Sequence, residues 1–145
     1  KFWRIMNSLM NIKLTTIAAS GYFDPLHVGH IEYLEKSKAL GDKLVVIVNN
    51  DKQAELKKGR SFMKEADRVK IIQALRVVDE VLLSIDHDNT VCESLRHINP
   101  DIFANGGDRN QEEIPEAETC RKYNIKMVDG LGEKIRSSSD YTGLK

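Results

Sequence analysis

Short apolar runs alternate along this chain with longer segments whose apolar residues recur at helical spacing. The clearest run is LVVIV at residues 44–48, which is typical of a central parallel strand covered on both faces. A second apolar run, residues 14–19, predicts another strand. Between the two runs, residues 28–40 predict a helix, because Ile31 and Leu34 share one face of it. The first third of the chain therefore predicts a strand–helix–strand unit.

The same alternation continues through the rest of the chain. Residues 52–64 are polar and basic and predict a loop, whereas Val69, Ile72 and Leu75 predict a helix over residues 65–76. The remaining predicted elements are strands at 81–85, 101–104 and 125–128 and helices at 91–97, 112–123 and from residue 137 onward.

Strands that alternate with helices predict an α/β fold, a Rossmann-like doubly wound parallel sheet of about five strands with helices on both faces. Ligands of such sheets bind beyond the carboxyl ends of the strands, near the point where the strand order reverses. Polar segments follow the predicted strand ends at Ala19, Val48 and Ala104. We therefore expect the functional site at this edge of the sheet.

Composition narrows the class of protein. A length of 145 residues fits one domain, which we place at residues 13–145 with residues 1–12 as an N-terminal extension. Equal numbers of basic and acidic residues, 22 of each, argue against a nucleic-acid or membrane-surface partner. Cys92 and Cys120 lack metal-ligand spacing and predict reduced thiols. With neither a signal-peptide core nor a membrane span in the sequence, we expect a cytoplasmic protein.

The zero net charge conceals two opposed segments. Residues 52–76 contain eight Lys or Arg and three Asp or Glu, whereas residues 77–118 contain two and eleven. The chain therefore contains a local concentration of positive charge that its net charge does not reveal.

The strongest chemical signal is the segment GYFDPLHVGH at residues 21–30, between the first strand and the first helix. His27 and His30 are three residues apart, so both lie on one side of the first helical turn. The free amides and positive dipole of a helix N-terminus favour phosphate, and two imidazole donors would stabilise phosphoryl charge there. The alternatives are an ordinary loop with two histidines, or two ligands of a metal whose third ligand is absent nearby.

The segment resembles the signature of the nucleotidyltransferase superfamily marked by a His-x-Gly-His motif, in its small cytidylyltransferase-like branch. The resemblance extends over residues 15–139. It rests on Gly21, Phe23, Asp24, His27, Gly29 and His30, on LGD at 40–42 with LVV at 44–46, and on VDEV at 78–81.

The resemblance implies roles for individual residues. Lys58 matches an essential lysine that precedes a glycine, and Arg68 and Arg76 match arginines that bind phosphates. Without the resemblance, Lys57 and Lys58 belong to a solvated run of charges, and Arg68 and Arg76 are surface residues or partners of Asp67 or Asp79. The serines at 137–139 then cap a helix, and the glycines at 106 and 107 form a plain turn. The implied catalytic residues are His27, His30 and Lys58; the nucleotide-binding residues are Tyr22, Phe23, Gly29, Arg68, Gly107, Asp108, Ser137, Ser138 and Ser139; and the substrate-binding residues are Asp24, Lys57 and Arg76.

Different parts of the sequence resemble different members of this family. The early motifs and the length resemble glycerol-3-phosphate cytidylyltransferase, whereas PDI at 100–102 and GGD at 106–108 resemble the heptose 1-phosphate adenylyltransferase domain. Gly132 stands near the place of a cytidylyltransferase arginine, while Arg136 directly precedes the serines. This difference favours ATP over CTP. The resemblance also implies Mg²⁺ bound mainly through the triphosphate, with no confident protein ligand, and a homodimer.

The sequence therefore predicts an enzyme that transfers a nucleoside monophosphate from ATP or CTP to a small phosphorylated sugar, polyol or amino alcohol and releases pyrophosphate. One alternative, a class I aminoacyl-tRNA synthetase, shares a His-x-Gly-His element but needs tRNA-binding domains and a lysine-rich signature. The other alternative is a nucleotide-binding module of the same fold that has lost catalysis. His27, His30 and Lys58 are all present, which favours the enzyme.

Overall fold

The computed structural model describes residues 13–106 and 114–131, which form one five-stranded parallel sheet with helices on both faces. The strand order is β3-β2-β1-β4-β5, so the order reverses between β1 and β4. The strands are β1 (Thr16–Gly21), β2 (Lys43–Val48), β3 (Glu80–Leu83), β4 (Ile102–Ala104) and β5 (Lys126–Val128). The helices are α1 (Val28–Lys38), α2 (Asp51–Lys58), α3 (Glu65–Gln73), α4 (Cys92–Ile98) and α5 (Pro115–Lys122).

Two apolar clusters cover the two faces of the sheet. Successive side chains of a strand point to opposite faces, and β1 divides accordingly: Ile17 and Ala19 join one cluster and Ala18 joins the other. The first cluster contains α1 and α3 through Leu34 and Ile72. The second contains α4 and α5 through residues that include Leu95 and Cys120. The predicted doubly wound α/β fold is confirmed.

The central strand shows why the apolar run was informative. Residues 44–48 are each at most 5% exposed, because β2 lies between β1 and β3 and is covered on both faces. An unbroken apolar run is what such a strand requires, since neither face meets water. The predicted central strand is thus confirmed.

The predicted loop at residues 52–64 is wrong over its first half, where α2 lies. Asn50 caps this helix by accepting from the Gln53 amide, and the Gln53 side chain accepts in return from the Asn50 amide. Gly59 ends the helix in a left-handed conformation, with φ of 87°. Only Gln53 and Ala54 of α2 are buried, so the helix shows no apolar periodicity.

The other predicted elements exist with ends that differ by a few residues; the helix predicted at 65–76, for example, ends at Gln73. None of the helices within residues 13–106 and 114–131 combines the length and apolarity needed to span a membrane. The helix predicted from residue 137 onward lies outside the described residues.

Candidate functional site

The loops at the carboxyl ends of β1, β2 and β4 meet where the strand order reverses. Tyr33 of α1 fixes this place, since its hydroxyl accepts from the Ser20 amide (3.1 Å) and donates to the Ala104 carbonyl (2.6 Å). Burial, partly offset by the Ser20 amide, raises the pKa of Tyr33, so its hydroxyl stays protonated. The start of α1 is thereby held above β1 and β4, at the predicted edge.

His27 and His30 form a cap at the N-terminus of α1. His27 is the extended N-cap residue, and its Nδ1 accepts from the Gly29 amide at 3.1 Å. In return, Nδ1 of His30 accepts from the His27 amide at 3.2 Å. The two rings stack with centroids 3.8 Å apart, and Phe23 meets the His30 ring edge-on at 5.0 Å.

These contacts determine which nitrogen of each imidazole carries the proton. A neutral imidazole has one donor and one acceptor nitrogen, so an accepting Nδ1 leaves the hydrogen on Nε2. Burial, with a smaller contribution from the neighbouring His27, lowers the pKa of His30 from 6.5 to about 4. At neutral pH His30 is therefore an uncharged Nε2–H donor.

Lys58, at the last position of α2, lies against Asp24. Its Nζ is 2.8 Å from Asp24 Oδ2, and the Asp24 side chain is fully buried. The two carboxylate oxygens also accept from the amides of Phe62 (2.7 Å) and Met63 (2.6 Å). Burial alone raises the pKa of Asp24, but the hydrogen bonds from Lys58, Phe62 and Met63 outweigh it and the pKa is lowered. Asp24 is an anion in the protein interior.

Arg68 of α3 occupies a different position from the phosphate contact that we predicted. Its side chain is fully buried, and Nη1 donates to the carbonyls of Tyr22 (2.9 Å) and Asn49 (2.6 Å). The Nε atom donates to Met63, and Nη2 donates to Asp51 at 2.8 Å. The guanidinium therefore joins the ends of β1 and β2 to α3 from beneath the site, and it presents no surface to a ligand.

Three further predicted residues do not present their side chains to a ligand at this site. Asp24 was predicted to touch substrate, but its buried oxygens face protein donors. Phe23 was predicted to bind nucleotide, but its ring is 2% exposed and packs so close to Gly21 that a Cβ there would lie 2.8 Å from the ring. Arg76 was predicted at the same site, but it is exposed and precedes β3 at the opposite, amino edge of the sheet.

Tyr22 and Lys57 meet on the other side of the same loop. The Lys57 ammonium lies 4.5 Å from the centroid of the Tyr22 ring, a cation–π contact. The Tyr22 hydroxyl is the one buried side-chain polar atom in the described part of the chain without a hydrogen-bond partner. Burial, opposed by Arg68 and reinforced by Glu116, raises the pKa of this hydroxyl.

The structure thus brings His27, Gly29 and His30 together at the start of α1. In the loop that precedes α1, Asp24 contacts Lys58 and Tyr22 contacts Lys57. The sequence reading missed the Asp51–Arg68 ion pair; the only signal for it was an acidic residue just past the end of a strand. Gly107, Asp108 and the serines at 137–139 lie outside the described residues.

The described residues provide no protein cage for a metal ion. Over residues 13–106 and 114–131, no three His, Cys, Asp or Glu side chains cluster so as to hold one. Mg²⁺ takes oxygen ligands, yet the two acidic groups nearest the site, Asp24 and Asp51, are paired with Lys58 and Arg68. These side chains do not fit a metal site, so we assign no step to Mg²⁺.

Sequence comparison gives the same family over most of the chain. The family model described as cytidylyltransferase-like matches residues 18–139. A protein named FAD synthase from Thermococcus sibiricus is 42% identical over 115 residues, which cover 78% of this chain and 76% of that protein. A protein named bifunctional protein HldE from Citrifermentans bemidjiense is 40% identical over 134 residues, which cover 84% of this chain but only 27% of that protein.

Solved structures show the same fold. A lipopolysaccharide core biosynthesis protein from Thermoplasma volcanium superposes with a TM-score of 0.68 at 32% identity, covering 81% of this chain and 96% of the other. A bifunctional NMN adenylyltransferase/ADP ribose pyrophosphatase from Francisella tularensis, solved with AMP and a manganese ion, gives a TM-score of 0.63 at 10% identity, covering 90% and 41%. The second likeness concerns the fold alone.

Proposed function

The chain belongs to the cytidylyltransferase-like family and is a nucleotidyltransferase, and we propose that it transfers the adenylyl group of ATP to a small phosphorylated acceptor. The observation that carries this proposal is the histidine cap of α1. In this cap, the Nδ1 atoms of two imidazoles accept hydrogen bonds from backbone amides. The Nε2–H groups of the two rings are therefore donors at a helix N-terminus. The positive end of the helix dipole and these two donors together favour a phosphoryl group at that place.

In the proposed reaction, a phosphate oxygen of the acceptor attacks the α-phosphorus of the triphosphate in line. An oxygen–phosphorus bond forms to the α-phosphorus as its bond to the bridging oxygen breaks, and pyrophosphate leaves with that bonding pair. No covalent enzyme intermediate is needed, so catalysis consists of positioning and charge stabilisation. His27 and His30 donate from Nε2 to the α-phosphoryl oxygens as their charge grows. Being uncharged at neutral pH, His30 acts as a hydrogen-bond donor rather than as an acid.

The two lysines that end α2 serve different phosphates in this proposal. We assign Lys58, whose ammonium lies beside Asp24, to the departing pyrophosphate. We assign Lys57, which lies over the Tyr22 ring, to the acceptor phosphate. Mg²⁺ remains a prediction, with the oxygens of the triphosphate as its ligands.

The name of one relative, FAD synthase, supports adenylyl transfer over cytidylyl transfer. FAD consists of FMN and AMP joined through two phosphates, so a synthase of FAD is consistent with AMP transfer to a phosphate monoester. We keep CTP as the second nucleotide to test. We further propose that residues 13–145 form the catalytic domain and that the enzyme is a cytoplasmic homodimer.

The proposal is tested by incubating the protein with Mg²⁺ and either ATP or CTP against a panel of acceptors. The panel contains FMN, sugar phosphates, polyol phosphates and amino-alcohol phosphates, and mass spectrometry identifies any product that carries a nucleoside monophosphate. We expect one acceptor to give an adenylylated product with stoichiometric pyrophosphate. Nucleotide binding without pyrophosphate release across the whole panel would support the inactive binding module instead.

Two variants of one residue separate the roles of the two ring nitrogens. His30→Asn keeps an acceptor near Nδ1 for the His27 amide but removes the Nε2 donor, whereas His30→Gln places an amide donor near Nε2. We expect the Asn variant to lose about 10²- to 10³-fold in kcat, the range for removing one preorganised oxyanion donor, and the Gln variant to lose less. A wild-type rate in the Asn variant would exclude Nε2 donation by His30.

A further inference from the structure

The carboxylate of Asp24 joins three segments that are distant in sequence. It belongs to the loop after β1, it binds Lys58 at the end of α2, and it accepts from the amides of Phe62 and Met63 in the segment that leads to α3. Arg68 Nε lies 4.0 Å from Asp24 Oδ1 and donates to the Met63 carbonyl. One buried anion therefore holds both ends of residues 58–63.

Nothing outside the protein reaches this carboxylate. The side chain is fully buried, and both oxygens accept from backbone amides at 2.6–2.7 Å while one also binds the lysine. A buried charge is costly unless it is paired and hydrogen-bonded, and here both conditions are met. Because the side chain is fully buried, neither oxygen is directed at a substrate or a metal-bound water.

Lys58 has donor capacity beyond its contacts with Asp24. Its side chain is 18% exposed, with the ammonium 2.8 Å from Asp24 Oδ2 and 3.3 Å from the Asp24 carbonyl oxygen. An ammonium has three donors, so pairing with Asp24 orients it without using its full capacity. Gly59 directly after it is left-handed with open space around it, and α2 ends there.

We infer that Asp24 is a positioning residue of the reaction, which acts through Lys58 and the Phe62–Met63 amides and makes no contact with substrate. This inference rests on the proposed function. Asp24 restricts Lys58 to the site side of α2 and prevents the segment after Gly59 from moving away. Without the carboxylate, the lysine keeps its charge but loses its place, so transition-state stabilisation falls more than ground-state binding does.

A double-mutant cycle tests the inference. The variants are Asp24→Asn, Lys58→Gln and the pair together, and Lys52→Gln is the control, since it removes an exposed lysine from the same helix. We expect Asp24→Asn to lower kcat by roughly 10²-fold with a smaller change in KM for the triphosphate. The double variant should be little slower than Lys58→Gln, because Asp24 then has no lysine ammonium left to orient. Losses that multiply would show that Asp24 acts on the substrate itself and would overturn the inference.

Amide exchange supplies a test that does not depend on turnover or on the folding of the Asn variant. Phe62 is 54% exposed, yet its amide and that of Met63 should exchange slowly in the wild-type protein and in Lys58→Gln, where Asp24 remains. Exchange as fast as in a free peptide would overturn the inference. If no acceptor on the panel supports turnover, the proposed function fails, whereas the exchange result still decides whether Asp24 holds this segment.

Discussion

The two sides of the site are held by contacts of very different range. On the α1 side, the histidine cap is made by hydrogen bonds between residues two and three positions apart. On the α2 side, Arg68 and Asp24 bind groups as far as 46 and 39 positions away. The first side forms wherever α1 begins, whereas the second exists only once β1, β2 and α3 are packed together.

This difference predicts how the two sides respond to substitution. A local cap depends on a few backbone dihedrals, so its loss costs the helix about 0.5–2 kcal/mol. A buried network has no solvent to replace a lost partner, so its loss leaves unpaired charge in the interior. Substitutions in the histidine cap should therefore lower activity more than stability, whereas loss of Arg68 should mainly lower the free energy of unfolding.

The largest expected effect is that of Arg68→Ala. Removing the guanidinium leaves the Asp51 carboxylate without its ion pair and leaves the carbonyls of Tyr22 and Asn49 without a donor. We expect a loss of about 3–5 kcal/mol in the free energy of unfolding, measured by urea denaturation. The control is Arg96→Ala, which removes an exposed arginine paired with Glu93 and should leave stability unchanged. Equal stability of the two variants would contradict the contrast between the two sides.

An intermediate effect is expected from pH on the histidine side. The His30 pKa is about 4 in the folded protein and near 6.5 when unfolded, so the unfolded state binds an extra proton between these values. This contribution is neutral above pH 6.5 and destabilises the fold progressively as pH falls towards 4. Urea denaturation between pH 7 and 4 should therefore show a steeper loss for the wild type than for His30→Asn. A His30 ring that titrates near 6.5 by NMR would contradict the prediction.

The smallest effect is expected from Tyr22→Phe, between the two sides. The hydroxyl has no partner within the described ranges, so its removal should leave the free energy of unfolding unchanged or raise it by up to about 1–2 kcal/mol. The Lys57 ammonium retains an aromatic ring beneath it. Thermal and urea denaturation measure the change, and a clear destabilisation would show that the hydroxyl is hydrogen-bonded in solution.

How well each feature could be predicted follows the same division by range. The buried strand β2 and the start of α1 were predictable, because each has a local signal in the sequence. These signals are the run of five apolar residues at 44–48 and the segment GYFDPLHVGH at 21–30. Helix α2 was missed, since its buried face contains only Gln53 and Ala54 and its cap depends on a polar pair, Asn50 and Gln53. Polar caps are visible in the sequence but are common in loops as well.

From the sequence alone follow the alternation of strands and helices apart from α2, the edge of the sheet at which the site lies, and the histidine pair at the start of α1. The folded structure is needed to show that Arg68 and Asp24 face inward and that Lys58 contacts a buried anion. This is because the identity of a charged residue does not show whether its side chain faces water or the protein interior. Arg68, for example, binds Tyr22, Asn49 and Asp51, which lie 17 to 46 positions away in sequence. These residues become neighbours only when the parallel sheet has formed.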